Sequence, residues 1–250
     1  MTALALTNLA GNTPVQASAP ILIWPVDPVI EADRGAGALW LENRGTSSAV
    51  MQIRVYRWTQ VDGEDHFEEQ QDVEASPPMA RIQPGARQLV RLTSDQAARA
   101  PGEGAYRIIV DEVPIRPTVA TSPDPNDGLA EGGAGIRFRM RYSIPLFVYS
   151  PLQGGRKRQP DAAPQLRCSL VMEGGRKAVR LFNEGSTHAR LVDVSFEVNG
   201  QPAYLAKGLL GYALPGKAIS RPLPAGATGR EPLTMLGKVG ARASIPGCAE

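Results

Sequence analysis

Between Ile136 and Ile144 the side chains alternate with a period of two. Ile136, Phe138, Met140, Tyr142 and Ile144 fall on one side of an extended chain, and Arg137, Arg139, Arg141 and Ser143 on the other. A helix would scatter the same residues around its axis, so this segment is a strand with one apolar face. Directly upstream, Arg116 to Gly135 has neither helical nor strand periodicity. A structureless stretch of about twenty residues is unusual inside a compact domain and is either functional or disordered. The pair reads as a mobile loop feeding a long amphipathic strand. On the pattern alone the segment reads first as an ordinary half-buried strand with its arginines in water; the sharper alternative is a strand that lends its apolar row to another protein by β-augmentation.

The rest of the chain agrees with strands rather than helices. Glycine (26) and proline (22) are scattered without a period, as expected for many turns between short strands. A length of 250 residues suffices for one large domain or two of ordinary size. Seven strands are expected before Pro151. They include the proline-broken run Ile21 to Ile30, Ala38 to Leu41, Val50 to Trp58, Arg87 to Thr93, Tyr106 to Val113 and Ile136 to Val148, with Asp62-Gly63 as a turn signal between them. Their number and spacing predict an immunoglobulin-like sandwich.

The pattern then restarts. Leu41-Glu-Asn43-Arg-Gly45-Thr-Ser-Ser-Ala49 is echoed 140 positions later by Leu181-Phe-Asn183-Glu-Gly185-Ser-Thr-His-Ala189, in both places a strand ending in an Asn-x-Gly turn. The expected organisation is all-β, two immunoglobulin-like sandwiches in tandem. An N-terminal domain covers 20–150, a Pro/Gly-rich and charged linker 151–164, and a C-terminal domain 165–250. Residues 1–19 are weakly apolar and end in small residues around Ala17 and Ala19. They resemble a truncated secretory signal without its basic start, and read otherwise as a disordered tail. No segment is apolar for long enough to insert in a membrane. Cys168 and Cys248 would close a loop between the ends of the C-terminal domain in an oxidising compartment, and would be two lone thiols in a reducing one.

Chemistry is sparse. His66 sits in an acidic hairpin and His188 in a turn, both read as solvated loop residues, and neither belongs to a cluster with metal-ligand spacing. Nucleophile elbows, phosphate loops and zinc-protease helices have no match, so neither catalysis nor a cofactor is expected. The acidic run Asp62 to Glu69 lacks the spacing of a calcium loop and reads as a charged hairpin tip. Arginines cluster at Arg137 to Arg141 and at Arg156-Lys157-Arg158, without the stacking aromatics or reading helix of a nucleic-acid binder.

Several of these segments together resemble one family. A proline-interrupted first strand, Tyr106-Arg-Ile-Ile-Val-Asp-Glu112-Val-Pro114, a long loop, and Arg139-Met-Arg-Tyr-Ser-Ile-Pro145-Leu-Phe-Val are similar to the periplasmic pilus-assembly chaperones, the PapD-like partners of outer-membrane ushers. Gln60 after Trp58, Ser76-Pro77-Pro78, and Arg91-Leu92 following Pro84-Gly85 look most like the archaic, spore-coat-type branch. The resemblance implies a periplasmic protein, without cofactor or catalysis, that binds, folds and caps pilus subunits. Such subunits lack their last strand, and the chaperone completes them before delivery to an usher. By position Ile136, Phe138 and Met140 match the donor row, with Tyr142 and Ile144 continuing it in phase. Family members also anchor the subunit carboxylate with two basic residues, and here the chain departs. The familiar lysine aligns with Pro145 and the familiar arginine falls at Asp27 or Pro28, leaving Arg91 or Arg141 as candidate anchors that read equally well as solvated strand arginines. The resemblance gives Glu112 an interdomain role, but its usual partners have no match, with Tyr149 in place of an arginine and no aspartate in Leu209-Leu210-Gly211-Tyr212. The competing reading is a secreted structural or adhesive sandwich. A sugar-active enzyme would need a carboxylate pair that the spacing does not offer.

Overall fold

The computed structural model describes residues 20–94, 102–114, 139–150, 165–236 and 242–249. The leader at 1–19, the Arg116 to Gly135 loop, donor-row residues Ile136 and Phe138, and the linker at 151–164 lie outside the described residues. Every regular element among those described is a strand. Before Ser150 come β1 (Ile21–Trp24), β2 (Val29–Ile30), β3 (Ala36–Asn43), β4 (Ala49–Val61), β5 (Glu64–Glu68), β6 (Val73–Ser76), β7 (Met79–Ile82), β8 (Arg87–Ser94), β9 (Glu103–Val113) and β10 (Arg141–Tyr149). After Gln165 come β11 (Leu166–Glu173), β12 (Arg176–Asn183), β13 (Ala189–Val198), β14 (Gln201–Ala213), β15 (Ala218–Pro222), β16 (Leu233–Leu236) and β17 (Arg242–Ile245).

The first ten strands form two sheets, ordered β1-β3-β8-β6 and β2-β10-β9-β4-β5, with β7 also on β4. The last seven form β11-β12-β15 and β14-β13-β16-β17, and no ladder joins the two sets. The result is two tandem β-sandwiches, each with its own core. Period-two alternation fills them: Met51 and Ile53 of β4, Val90 and Leu92 of β8, and Ile108 and Val110 of β9 all point inward and are buried. Pro25 and Pro28 cannot donate to a ladder. The chain accordingly leaves the first sheet after β1, and β2 joins the second sheet as a short parallel partner of β10.

Three strands lie where the sequence offers weak alternation. β5 is acidic and exposed throughout, and it forms because Asp62 and Gly63, both at positive φ (51° and 85°), make the tight turn that returns the chain onto β4. β6 and β7 are short pieces on either side of Pro77-Pro78.

The repeated Asn-x-Gly turn does the same work in both sandwiches. Asn43 is buried, donates from Nδ2 to Ser47 O (2.8 Å) and Ile82 O (2.9 Å), and accepts from Gly45 N (2.9 Å). Asn183, equally buried, donates to Thr187 O (2.8 Å) and Ala213 O (2.8 Å) and accepts from Gly185 N (2.9 Å). One amide side chain thus satisfies three backbone groups at each strand-to-strand corner. In the second sandwich Cys168 of β11 is bonded to Cys248, beyond β17, with Cα atoms 4.4 Å apart.

Candidate functional site

Strand β10 is paired along one side only for most of its length. On that side it runs antiparallel to β9, from Arg141 opposite Asp111 to Tyr149 opposite Glu103. On the other, β2 covers only Phe147 and Val148. Glu112 N donates to Met140 O (3.1 Å) and Phe147 N to Pro28 O (3.4 Å). Even-numbered residues therefore bond to β9, and odd-numbered ones direct their backbone groups the other way. Among the described residues, the amides of Arg141 and Ser143 and the carbonyls of Arg141, Ser143 and Pro145 face an open edge. Pro145 has no N–H to offer, so this edge closes where the chain reaches the domain boundary.

The apolar row of β10 changes environment along the strand. Met140 is 43% exposed. Tyr142 is half-buried against the domain's own core, and its hydroxyl accepts from Ile21 N (3.4 Å). Ile144, at 7% exposure, is wholly within that core. A side chain held there cannot also fill a partner's groove, so the donor row as read from alternation is too long at this end.

The outer face of the same sheet turns toward the second domain. Trp58, Phe147, Tyr149, Tyr212 and Leu214 form a buried cluster joining the two sandwiches. Phe147 stacks on His188 with ring centroids 3.5 Å apart, and Trp58 meets Tyr212 edge-on at 5.8 Å. His188 is a correction to the sequence reading. It lies in a turn but is almost fully buried by the other domain, and Glu103 holds it through both the backbone amide (2.8 Å) and ring Nδ1 (2.9 Å). Gln60 ties the domains from β4, donating to Tyr212 O (2.8 Å) and accepting from Leu214 N (3.0 Å).

Glu112 does not sit at this interface. It is nine positions along β9 from Glu103, about 30 Å in an extended strand, and its carboxylate faces Met140 N at 3.4 Å. The interdomain carboxylate is Glu103, on the opposite end and the opposite face of the strand.

The two candidate anchors are not brought together. Arg91 projects from the outer face of the other sheet, because odd-numbered residues of β8 point away from the core. Arg141 lies on the open strand, but Asp111 engages it at Nε (2.5 Å) and Nη2 (3.3 Å), and the same carboxylate receives Arg54. Those contacts, the Arg141 hydrogen bond foremost, hold the Asp111 carboxyl below its ordinary pKa.

One cation packed into the interface is a residue the sequence reading passed over. Arg107 of β9 stands directly opposite Pro145 in the ladder. Its guanidinium lies 3.9 Å from the Trp58 ring centroid and 5.9 Å from that of Tyr212, with Nη2 3.6 Å from Asp65 Oδ2. Burial pushes its pKa down, opposed by Asp65 and Tyr212, yet an arginine remains charged. Its Nε is buried with no hydrogen-bond partner among the described residues. A lone basic residue at an outward position of a strand as apolar as Tyr106 to Val110 was the available signal.

Two tandem sandwiches, the first presenting an open, proline-terminated strand edge beside an aromatic and cationic interface, define a two-domain all-β protein. The family described as pili and flagellar-assembly chaperone, PapD N-terminal domain, matches residues 26–153, and the chain belongs to it. Among solved structures, the chain is similar to CsuC in the CsuC-CsuE chaperone-tip adhesion subunit pre-assembly complex from the archaic chaperone-usher Csu pili of Acinetobacter baumannii. The two share 30% identity over 91% of this chain and 97% of that one, with a TM-score of 0.67. The E. coli chaperone DraB shares the fold at 16% identity, over 94% and 99% of the chains, with a TM-score of 0.62. A Salmonella enterica complex of SafA pilin with the SafB chaperone does so at 15%, over 92% and 99%, with a TM-score of 0.62. The chain matches none of the curated proteins. The likeness to CsuC agrees with the archaic branch, and a chaperone family replaces the reading as an adhesive or structural sandwich. Among the described residues no group of three or more His, Cys, Asp or Glu could hold a metal, and no helix is long and apolar enough to cross a membrane.

Proposed function

We propose that this chain is a periplasmic chaperone that captures unfinished pilus subunits, completes them with the beginning of β10 and the residues before it, and passes them to an outer-membrane usher. The observation that carries the proposal is the open edge of β10 between Arg141 and Pro145, beside the exposed Met140. An incoming subunit strand pairs with the outward groups of Arg141 and Ser143, while Met140, Phe138 and Ile136 enter the subunit's groove. Each such side chain contributes on the order of 1.5 to 3 kcal/mol when buried. Tyr142 and Ile144 act at the root of the strand, fixing it to the chaperone's own core. Arg107, opposite Pro145 and with Nε unused, takes the anchoring role for the subunit's terminal carboxylate in place of Arg91 or Arg141. The Csu complex, described as a pre-assembly complex from a chaperone-usher system, supports delivery to an usher.

Co-expression with a cognate subunit and recovery of the complex tests the reading. Phe138→Asp should abolish recovery while leaving the chaperone folded, since a carboxylate desolvated without a partner costs roughly 3 to 5 kcal/mol, more than a hundredfold in affinity. Arg107→Gln should weaken recovery and Arg107→Lys retain more of it. Full recovery with a folded Phe138→Asp protein would remove the donor-strand assignment. Full recovery with Arg107→Gln would remove the anchor alone.

A further inference from the structure

The tip of the β4-β5 hairpin reaches the second sandwich and borders with it a cavity of about 230 Å³. Asp62 and Gly63 supply the wall from the first domain, and Arg180, Phe182 and Lys217 the wall from the second. Both tip residues hold positive φ (51° and 85°), so the tip is a fixed turn. It rests on backbone, since a Cβ at Gly63 would lie 3.9 Å from both Ala218 O and Ser220 N. The distance between the two walls is therefore set by main-chain packing rather than by flexible side chains. Gln60 also lines the cavity, but its amide is committed to Asp65, Tyr212 and Leu214.

Three exposed charges line this space, the Asp62 carboxylate on one side and the Arg180 guanidinium and Lys217 ammonium on the other. None of the three has an ion-pair partner among the described residues. Opposite charges thus share one cavity without meeting, and the fixed hairpin leaves room between them. A fourth polar group is on the backbone. Asn183 N donates to Lys217 O, so odd-numbered residues of β15 bond to β12 and even-numbered ones direct their backbone groups outward. The Ala218 N–H accordingly points to the hairpin side of β15, where Ala218 lines the cavity, and has no acceptor among the described residues.

We infer that this cavity binds an acidic α-amino acid. Two cations and one carboxylate leave an excess of one positive charge, which a ligand with two carboxylates and one ammonium matches group for group. Arg180 and Lys217 each take a carboxylate, the guanidinium bidentately, and the Ala218 N–H adds a further donor. Asp62 takes the ammonium, and the ligand's methylenes lie along Phe182. Size agrees with charge: a cavity of about 150 Å³ holds benzene, so this one suits roughly nine or ten non-hydrogen atoms, as in aspartate or glutamate. The bound molecule touches both domains and holds their seam together. The site is separate from the open edge of β10 and does not depend on the donor-strand reading.

Titration calorimetry of the purified chain with L-glutamate and with L-aspartate tests it. The expected result is one-to-one binding of at least one of them, with a dissociation constant of roughly 1 mM or tighter for a ligand of this size, and a rise in the thermal midpoint when that ligand is present. Succinate lacks the ammonium and L-glutamine one carboxylate, so each should bind about tenfold more weakly or worse. Arg180→Gln, Lys217→Gln and Asp62→Asn should each weaken binding of the amino acid by a similar factor, while Lys217→Arg retains it. All four positions of substitution are exposed, and asparagine tolerates the left-handed backbone of residue 62, so ligand-free melting by circular dichroism should match the wild type. No heat with either amino acid at concentrations well above that constant would overturn the inference. So would binding unchanged by the three charge-removing substitutions, or succinate and L-glutamine binding as tightly as L-glutamate.

Discussion

Replacing His188 by alanine removes a ring that both domains hold. The imidazole stacks on Phe147 at 3.5 Å and its Nδ1 hydrogen-bonds a Glu103 carboxylate that has no exposed side-chain surface. A hydrogen bond to a charged group contributes about 1.5 to 3 kcal/mol, and an aromatic pair about 0.5 to 1.5 kcal/mol beyond its buried area. The backbone amide of residue 188 still reaches Glu103, so the carboxylate keeps one of its two partners. The expected loss is about 2 to 4 kcal/mol, and it falls on the interface rather than within either core. Urea denaturation followed by the fluorescence of Trp58, which lies in the same cluster, should show the domains separating before either sandwich melts. Small-angle scattering should show a longer particle at urea concentrations where the wild type is compact. In a double-mutant cycle with Glu103→Ala the two losses should not add, because each substitution removes the same contact. A loss under about 1 kcal/mol, or full additivity, would refute the claim that this pair joins the domains.

Two further outcomes follow from the geometry. Replacing Cys168 and Cys248 together by alanine should cost the second domain roughly 4 kcal/mol in the loop-entropy account, since the bond closes a separation of 80 residues; denaturation of oxidised and substituted protein measures it, and equal midpoints would contradict it. The Asp111 carboxyl is held below its ordinary value of 3.8 by Arg141 and Arg54, so its stabilisation is complete above that value and is lost as pH falls through the lower folded-state pKa. Asp111→Asn should therefore flatten the acid limb of the stability profile below pH 3.8 and lower stability at neutral pH, and an unchanged acid limb would contradict it.

Much of this architecture was legible because it depends on local pattern. Alternation located β4, β8, β9 and β10, and Pro25 with Pro28 announced the strand that changes sheets. The paired Asn-x-Gly turns revealed the repeat, since a buried asparagine that satisfies three backbone groups leaves the same short signature twice. What escaped notice depends on the neighbouring domain. His188 looks solvated because its own turn leaves it so, and it is buried only where β9 and β10 of the first sandwich meet the second. Glu112 drew attention through the Glu-Val-Pro run, while Glu103, at the other end of the strand, faces the interface. Arg107 reads as one arginine among 27 lysines and arginines until the ladder sets it against Pro145. Ile144 continues the donor period without interruption, and only its packing shows that the period crosses from a free edge into the core.

The central claim is that β10 lends its open edge to another chain, and amide hydrogen exchange at Arg141 and Ser143 tests it most directly. Both amides point away from β9, so in the free protein they should exchange quickly beside the slow even-numbered amides of Tyr142, Ile144 and Leu146. With a cognate pilus subunit bound, the account predicts that Arg141 and Ser143 slow to the rates of their even-numbered neighbours. Rates for these two amides that do not change on binding would contradict it.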